Sequence, residues 1–154
     1  MQIGLLADHP DAVSTITRWY FDEWSHIAPE VTEAWLFQRI KEKAVNSHAL
    51  PLALVAYDDE QLVGVVELKI CENTHYPEYE HWLGGVYVAR AHRKKGIASA
   101  LLNAAKEKAQ QLGITVLYLQ CEQHNIALYR QHGFCVLHTA MHHRMTTTIM
   151  VWQA

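Results

Sequence analysis

Apolar residues recur along this chain in two rhythms, and each change of rhythm marks an element. Gln2 to Ala7 reads as a short first strand. Pro10 and Asp11 then open a helix, and Val13, Ile16, Thr17, Tyr20 and Trp24 fall on one side of it at helical spacing. A second helix is predicted over Thr32 to Val45, with Leu36, Phe37, Ile40 and Ala44 facing inward. Two strands, Leu52 to Tyr57 and Gln61 to Cys71, flank Asp58-Asp59-Glu60, which is a hairpin pattern. A polar, aromatic loop over Glu72 to Glu80 leads into a strand from Trp82 to Ala89. The strongest helical stripe follows, from Gly96 to Leu112, carried by Ala98, Leu101, Leu102, Ala105, Ala109 and Leu112; Gly113 suits its end. Ile114 to Gln120 is a strand, Asn125 to Gln131 a short helix, and Phe134 to His138 and Thr146 to Trp152 are closing strands. The order β-α-α-β-β-β-α-β-α-β-β predicts an α/β domain with a mixed sheet (α+β in character). The helix at 97–112 would supply a parallel crossover.

Bulk properties narrow the class. Residues 1–154 read as one domain, long enough for a single core. Half the residues are apolar and the net charge is −3, which argues against a general nucleic-acid binder. No apolar run approaches membrane-spanning length, and the apolar segment Ile3 to Ala7 lacks a preceding basic region. The three cysteines, Cys71, Cys121 and Cys135, are odd in number and lack metal-type spacing, so a reduced, cytoplasmic setting is expected.

Charge is unevenly placed. Of thirteen Lys and Arg residues, Arg90, Arg93, Lys94 and Lys95 fall in one six-residue turn, between a strand and a helix. Helix N-termini present unpaired N–H groups, so a basic turn there is suited to phosphate. In Arg93-Lys94-Lys95-Gly96-Ile97-Ala98, Gly96 supplies backbone freedom and clearance, Ala98 is small, and the cations screen negative charge. A solvated charge run capping the helix is the alternative on spacing alone. The Walker loop is absent, and Gly84, Gly85 and Gly96 do not form a dinucleotide fingerprint.

A second segment follows the next strand. In Asn125-Ile126-Ala127-Leu128-Tyr129-Arg130-Gln131-His132-Gly133-Phe134, Asn125 and Tyr129 are four apart and share a helix face. Together, Val88-x-x-x-x-Arg93-x-x-Gly96-x-Ala98 and Asn125-x-Ala127-Leu128-Tyr129-x-x-x-Gly133-Phe134 resemble the GNAT superfamily of N-acetyltransferases. The element order agrees with that resemblance over nearly the whole chain. Arg90 stands where the family often has proline; Lys94 and Ala98 stand where it often has glycine.

The resemblance implies a GNAT-like acyl-CoA N-acyltransferase fold, a mixed sheet of about seven strands flanked by about four helices. It implies acetyl-CoA as co-substrate, held where the fourth and fifth strands diverge. Carried over, the backbones of Val86 and Val88 hold the pantetheine arm, with Gly84-Gly85 as the site of a bulge. N–H groups of Arg93, Lys94, Lys95, Gly96, Ile97 and Ala98 hold the pyrophosphate, and Asn125 bonds the pantetheine. Tyr129 protonates the departing thiolate, and an N–H near Val86 stabilises the carbonyl oxygen. The acceptor is a primary amine of a small molecule or a peptide, and the protein is a monomer or homodimer. A catalytically silent acyl-CoA binder is the alternative reading.

Other residues carry less. Trp19 and Phe21 flank the core stripe of the first helix and are candidates for an aromatic wall against a cationic amine, with Tyr76 and Tyr79 opposite. Glu67, Glu80 and His81 are candidate bases, although Glu67 and Lys69 share a strand face and read as a surface pair. The nearest histidines, His138, His142 and His143, match no zinc motif, so no metal is expected. Cys121 ends the fifth strand, where an acetyl-cysteine route is conceivable, but direct transfer is the course the family implies.

Overall fold

A computed structural model of the protein describes every residue except His143. Seven strands form one sheet in the order β1-β2-β3-β4-β5-β7-β6. They are β1 (Gln2–Leu5), β2 (Leu52–Asp58), β3 (Gln61–Ile70), β4 (His81–Val88), β5 (Val116–Cys121), β6 (Cys135–His142) and β7 (Met145–Gln153). The helices are α1 (Val13–Trp24), α2 (Glu33–Lys43), α3 (Ile97–Gln111) and α4 (Ile126–Gln131). Every neighbouring pair is antiparallel except β4 and β5, which α3 joins in parallel.

Local chemistry explains the boundaries. β2 and β3 turn on Asp59 and Glu60, both at positive φ, as a two-residue hairpin matched to strand twist requires. α2 starts at Thr32, whose side-chain oxygen accepts a hydrogen bond from Trp35 N–H at 3.1 Å. α3 is bracketed by Gly96 at φ +82° and Gly113 at φ +79°.

Alternation along the strands divides the core between two faces. Leu52, Leu54 and Ala56 of β2 join Leu101, Leu102, Ala105, Tyr129 and Phe134 on the α3 and α4 side. Ala53 and Val55 join Val13, Ile16, Tyr20 and Ile40 on the α1 and α2 side. The expected inner face of α2 is correct: Ile40 is buried, with Leu36, Phe37 and Ala44 packed beside it. Trp24 departs from its expected core position. It is 36 % exposed at the last turn of α1, touching Tyr20 and Tyr87 by its ring edges.

Candidate active site

The central opening lies between β4 and β5. Their ladder contains the single pair Trp82–Tyr118, so beyond it the two parallel strands separate. On its other side β4 is held by β3, but with an irregularity: Val65 faces Tyr87 while Glu67 faces Gly84. An extra residue therefore sits in β4 at Gly85–Val86, and Gly85 adopts φ +59°. Glycine is required there on two grounds. The angle disfavours a side chain, and a Cβ would collide with Glu67 Oε2 and lie 2.5 Å from the Tyr20 hydroxyl.

The basic turn follows β4. Arg90–His92 form a single 3-10 turn, Lys94 takes φ +64° and Gly96 φ +82°. A Cβ at Gly96 would meet nothing within 4 Å, so glycine serves the angle here and the space beside it is open. Arg93, Lys94, Lys95 and Gly96 are exposed, whereas Ile97 is buried in the core. Arg93 does more than carry charge. Its Nε donates to the Val88 carbonyl at 2.8 Å, and its guanidinium lies 5.2 Å from the Tyr87 ring centre. It thereby ties the turn to the end of β4 and engages the Val88 carbonyl, one of the backbone groups expected to serve a ligand.

On the α3 and α4 side of the opening stand Tyr129 and Cys121. Tyr129 is 9 % exposed, and its ring meets Phe134 edge-on at 6.1 Å. Burial raises its pKa well above the ordinary phenol value, with smaller contributions from Cys121 and Glu72. Burial likewise pushes the Cys121 thiol up to about 11, so it is a poor nucleophile at neutral pH. Asn125 lies one turn before Tyr129, half-buried, and its side chain makes no capping bond to α4.

On the α1 and α2 side is an ionic network that the sequence reading missed. Glu67 is 3 % exposed and ion-paired with Lys43 from α2, which corrects the expected surface pair with Lys69. Burial opposes its charge, but Lys43, and after it Lys69, hold its carboxyl down at about 2. Lys69 instead pairs with Glu72 at 2.7 Å. Glu72 reaches across the opening: its Oε1 sits 2.8 Å from where a Gly84 Cβ would be, and its Oε2 accepts from Gln120 Nε2 of β5 at 3.0 Å. Asn73 orients Gln120 by donating to its Oε1 at 3.1 Å. Glu72 thus stands between β4 and β5 where they part. Its signal in sequence was only a loop carboxylate next to a strand end.

The three candidate bases fare poorly. Glu67 is too weakly basic. His81 opens β4 and Glu80 precedes it, five and six residues from Val86, or about 16–20 Å at strand rise. They border a separate open depression with Gly113, Ile114 and Tyr118. Tyr76 and Tyr79 do not form an open wall. They stack on each other at 5.4 Å, Tyr79 stacks on Tyr118 at 4.2 Å, and its hydroxyl lies 2.8 Å from His138 Nε2. These rings hold the 71–80 loop against β5 and β6. Trp19 is half-buried and stacks on Tyr87 at 5.1 Å, beside the bulge; Phe21 is half-buried on α1. Among the described residues no group of His, Cys, Asp or Glu is arranged to hold a metal ion. His143 lies outside the described residues. No described helix is long and apolar enough to cross a membrane.

Comparison with known proteins bears on this geometry. The sequence profile of the acetyltransferase (GNAT) family matches residues 11–134. An aminoglycoside N(6')-acetyltransferase type 1 from Acinetobacter haemolyticus is 30 % identical over 109 residues, covering 67 % of this chain and 74 % of that protein. The fold is shared with the PaiA N-acetyltransferase of Thermoplasma acidophilum in complex with coenzyme A (TM-score 0.69, 22 % identity, all of both chains). An aminoglycoside 6'-N-acetyltransferase complexed with coenzyme A also shares it (TM-score 0.77, 15 % identity, 99 % of this chain and 97 % of that one). So does a ribosomal-protein-alanine N-acetyltransferase from Brucella melitensis (TM-score 0.75, 21 % identity, all of both chains).

Proposed function

This chain belongs to the GNAT acetyltransferase family and is an acetyl-CoA-dependent N-acetyltransferase, and we propose that it transfers the acetyl group directly to a primary amine of a small cationic molecule. The observation that carries this reading is the opening of β4 from β5 beyond Trp82–Tyr118, with a bulge at Gly85–Val86 and Tyr129 beside it. Backbone N–H groups of the turn from Arg93 to Ala98 hold the donor's pyrophosphate, and Lys94 and Lys95 screen its charge. The far half of β4 receives the pantetheine arm as an added strand. Val86 N–H donates to the thioester oxygen as it gains charge, and Asn125 bonds the arm. The neutral amine attacks the carbonyl carbon, the C–S bond breaks, Tyr129 O–H gives its proton to the leaving sulfur, and the proton shed by the new amide nitrogen passes to water, from which Tyr129 is reprotonated.

For the acceptor, Trp19 offers a half-buried aromatic flank on the α1 side of the sheet, suited to a cationic amine. Amino groups of an aminoglycoside are the first acceptors to test, in line with the Acinetobacter haemolyticus relative. The experiment is release of free coenzyme A thiol with acetyl-CoA and a panel of aminoglycosides, polyamines, amino-acid amides and peptides. Turnover with small polycations and little with peptides is expected. Tight acetyl-CoA binding with no thiol release for any amine would replace the enzyme reading with that of a silent acyl-CoA binder.

A further inference from the structure

Tyr20 lies on α1, away from the basic turn and from Tyr129, yet its hydroxyl donates to the Gly85 carbonyl at 2.6 Å. That carbonyl belongs to the bulge. In a trans peptide the C=O of one residue and the N–H of the next lie in one plane and point in opposite directions. The peptide whose oxygen Tyr20 holds is therefore the one whose N–H is that of Val86. Tyr20 packs in the core on the α1 side of the sheet, and Val86 packs against the core on the opposite side, which contains Tyr129.

We propose that Tyr20 is a positioning residue for acyl transfer: by holding the Gly85 carbonyl toward α1, it fixes the Val86 N–H toward the side where Tyr129 stands. The inference rests on the assignment of Val86 N–H as the donor to the thioester oxygen, and it adds what aims that donor. Bulge peptides lack the ladder partner that would otherwise fix them, and Gly85 leaves this one torsionally free. A hydrogen bond to the carbonyl also polarises the amide, making its N–H a stronger donor. The surroundings hold Tyr20 in place and protonated. Its ring is 6 % exposed, Glu67 lies against the hydroxyl, and Lys43 anchors Glu67. Burial and the neighbouring carboxylate keep the phenol a donor well past its ordinary range. α1 thereby couples the acceptor side of the sheet to the carbonyl-polarising group.

The test is Tyr20→Phe, read by steady-state kinetics and by the infrared stretch of acetyl-CoA carrying a 13C carbonyl, bound without amine. In the wild type the bound carbonyl should absorb below its frequency in water. In Tyr20→Phe most of that shift should vanish and kcat should fall about tenfold or more, an indirect share of what a lost oxyanion donor costs. The KM for acetyl-CoA should stay within about twofold, because the phosphate turn and the rest of β4 keep their contacts. An unchanged carbonyl frequency with kcat within twofold of wild type would overturn the proposal. Should the phenylalanine variant fail to fold, 3-fluorotyrosine at position 20 keeps the shape and sharpens the donor. It should lower the carbonyl frequency further, and no change would again count against the idea. Failure of the parent reading looks different: the wild-type protein itself would then show no carbonyl shift on binding acetyl-CoA.

Discussion

Tyr129 poses a problem of proton affinity. A phenol whose pKa is raised by burial is a weaker acid than tyrosine in water, yet it is asked to protonate a thiolate. The same surroundings resolve this. Cys121, next to it, is pushed up to about 11, so a thiolate formed there is also far more basic than in water. Burial raises donor and acceptor in the same direction, which limits the mismatch between them. Tyr129→Phe should lower kcat by about a hundredfold, the lower end of general-acid contributions, with the KM for acetyl-CoA little changed. The sign of the pH dependence follows from the raised pKa. Tyr129 loses its proton only above the ordinary phenol value near 10, so its ionisation should cause no fall in kcat up to about pH 10. A variant within a fewfold of wild type across neutral pH would remove Tyr129 from the acid role.

Elements are held to one another by contacts that do not announce themselves in composition. α3 packs on β3 through Gly64, where an added Cβ would lie 2.9 Å from Leu101 Cδ1 and 3.2 Å from Ile97 Cγ2. Ile97 opens the helix directly behind the phosphate turn, so pushing it away displaces the turn as well. Gly64→Ala should cost about 1–3 kcal/mol in urea unfolding, the usual range for overpacking, and raise the KM for acetyl-CoA. A variant as stable as wild type would show that α3 yields freely. The order of strands and helices was legible in sequence because each buries one periodic face, and the observed ends fall within about three residues for α1 to α3. β6 is the exception. Its predicted end at His138 reaches His142, since Thr139 to His142 pair with β7 without any apolar alternation to mark them. The phosphate turn was legible because its charge and glycine are contiguous. The roles of Glu67, Glu72 and Tyr20 were not, because each is set by partners 24, 48 and 65 residues away in Lys43, Gln120 and Gly85. Nothing in a window of sequence separates Glu67 on a strand face from an ordinary exposed glutamate.

At the scale of the molecule, the sheet is a partition with one opening. Tyr129 and the donor turn stand on one side, and Glu72, Glu67, Lys43 and Tyr20 on the other. The buried Lys43–Glu67 pair joins α2 to the strand beside the bulge, so stability and site geometry share a support. Glu67 has its carboxyl lowered from 4.5 to about 2 in the fold. Being depressed, it contributes stability that is fully present above pH 4.5 and is lost as pH falls through 2. At about 1.4 kcal/mol per unit this is on the order of 3 kcal/mol. Lys43→Ala should reverse the dependence. With its nearest cation gone, burial becomes the stronger influence and Glu67 keeps only the weaker compensation of Lys69, at a cost approaching about 3–5 kcal/mol at neutral pH. A carboxyl raised above its unfolded value stabilises only below that value, so the variant should gain stability as pH falls from 7 toward 4.5. Wild type should show no such gain in that window. Urea unfolding at pH 7 and pH 4.5 decides it: parallel curves for the two proteins would mean that Lys69 alone suffices to hold Glu67 ionised.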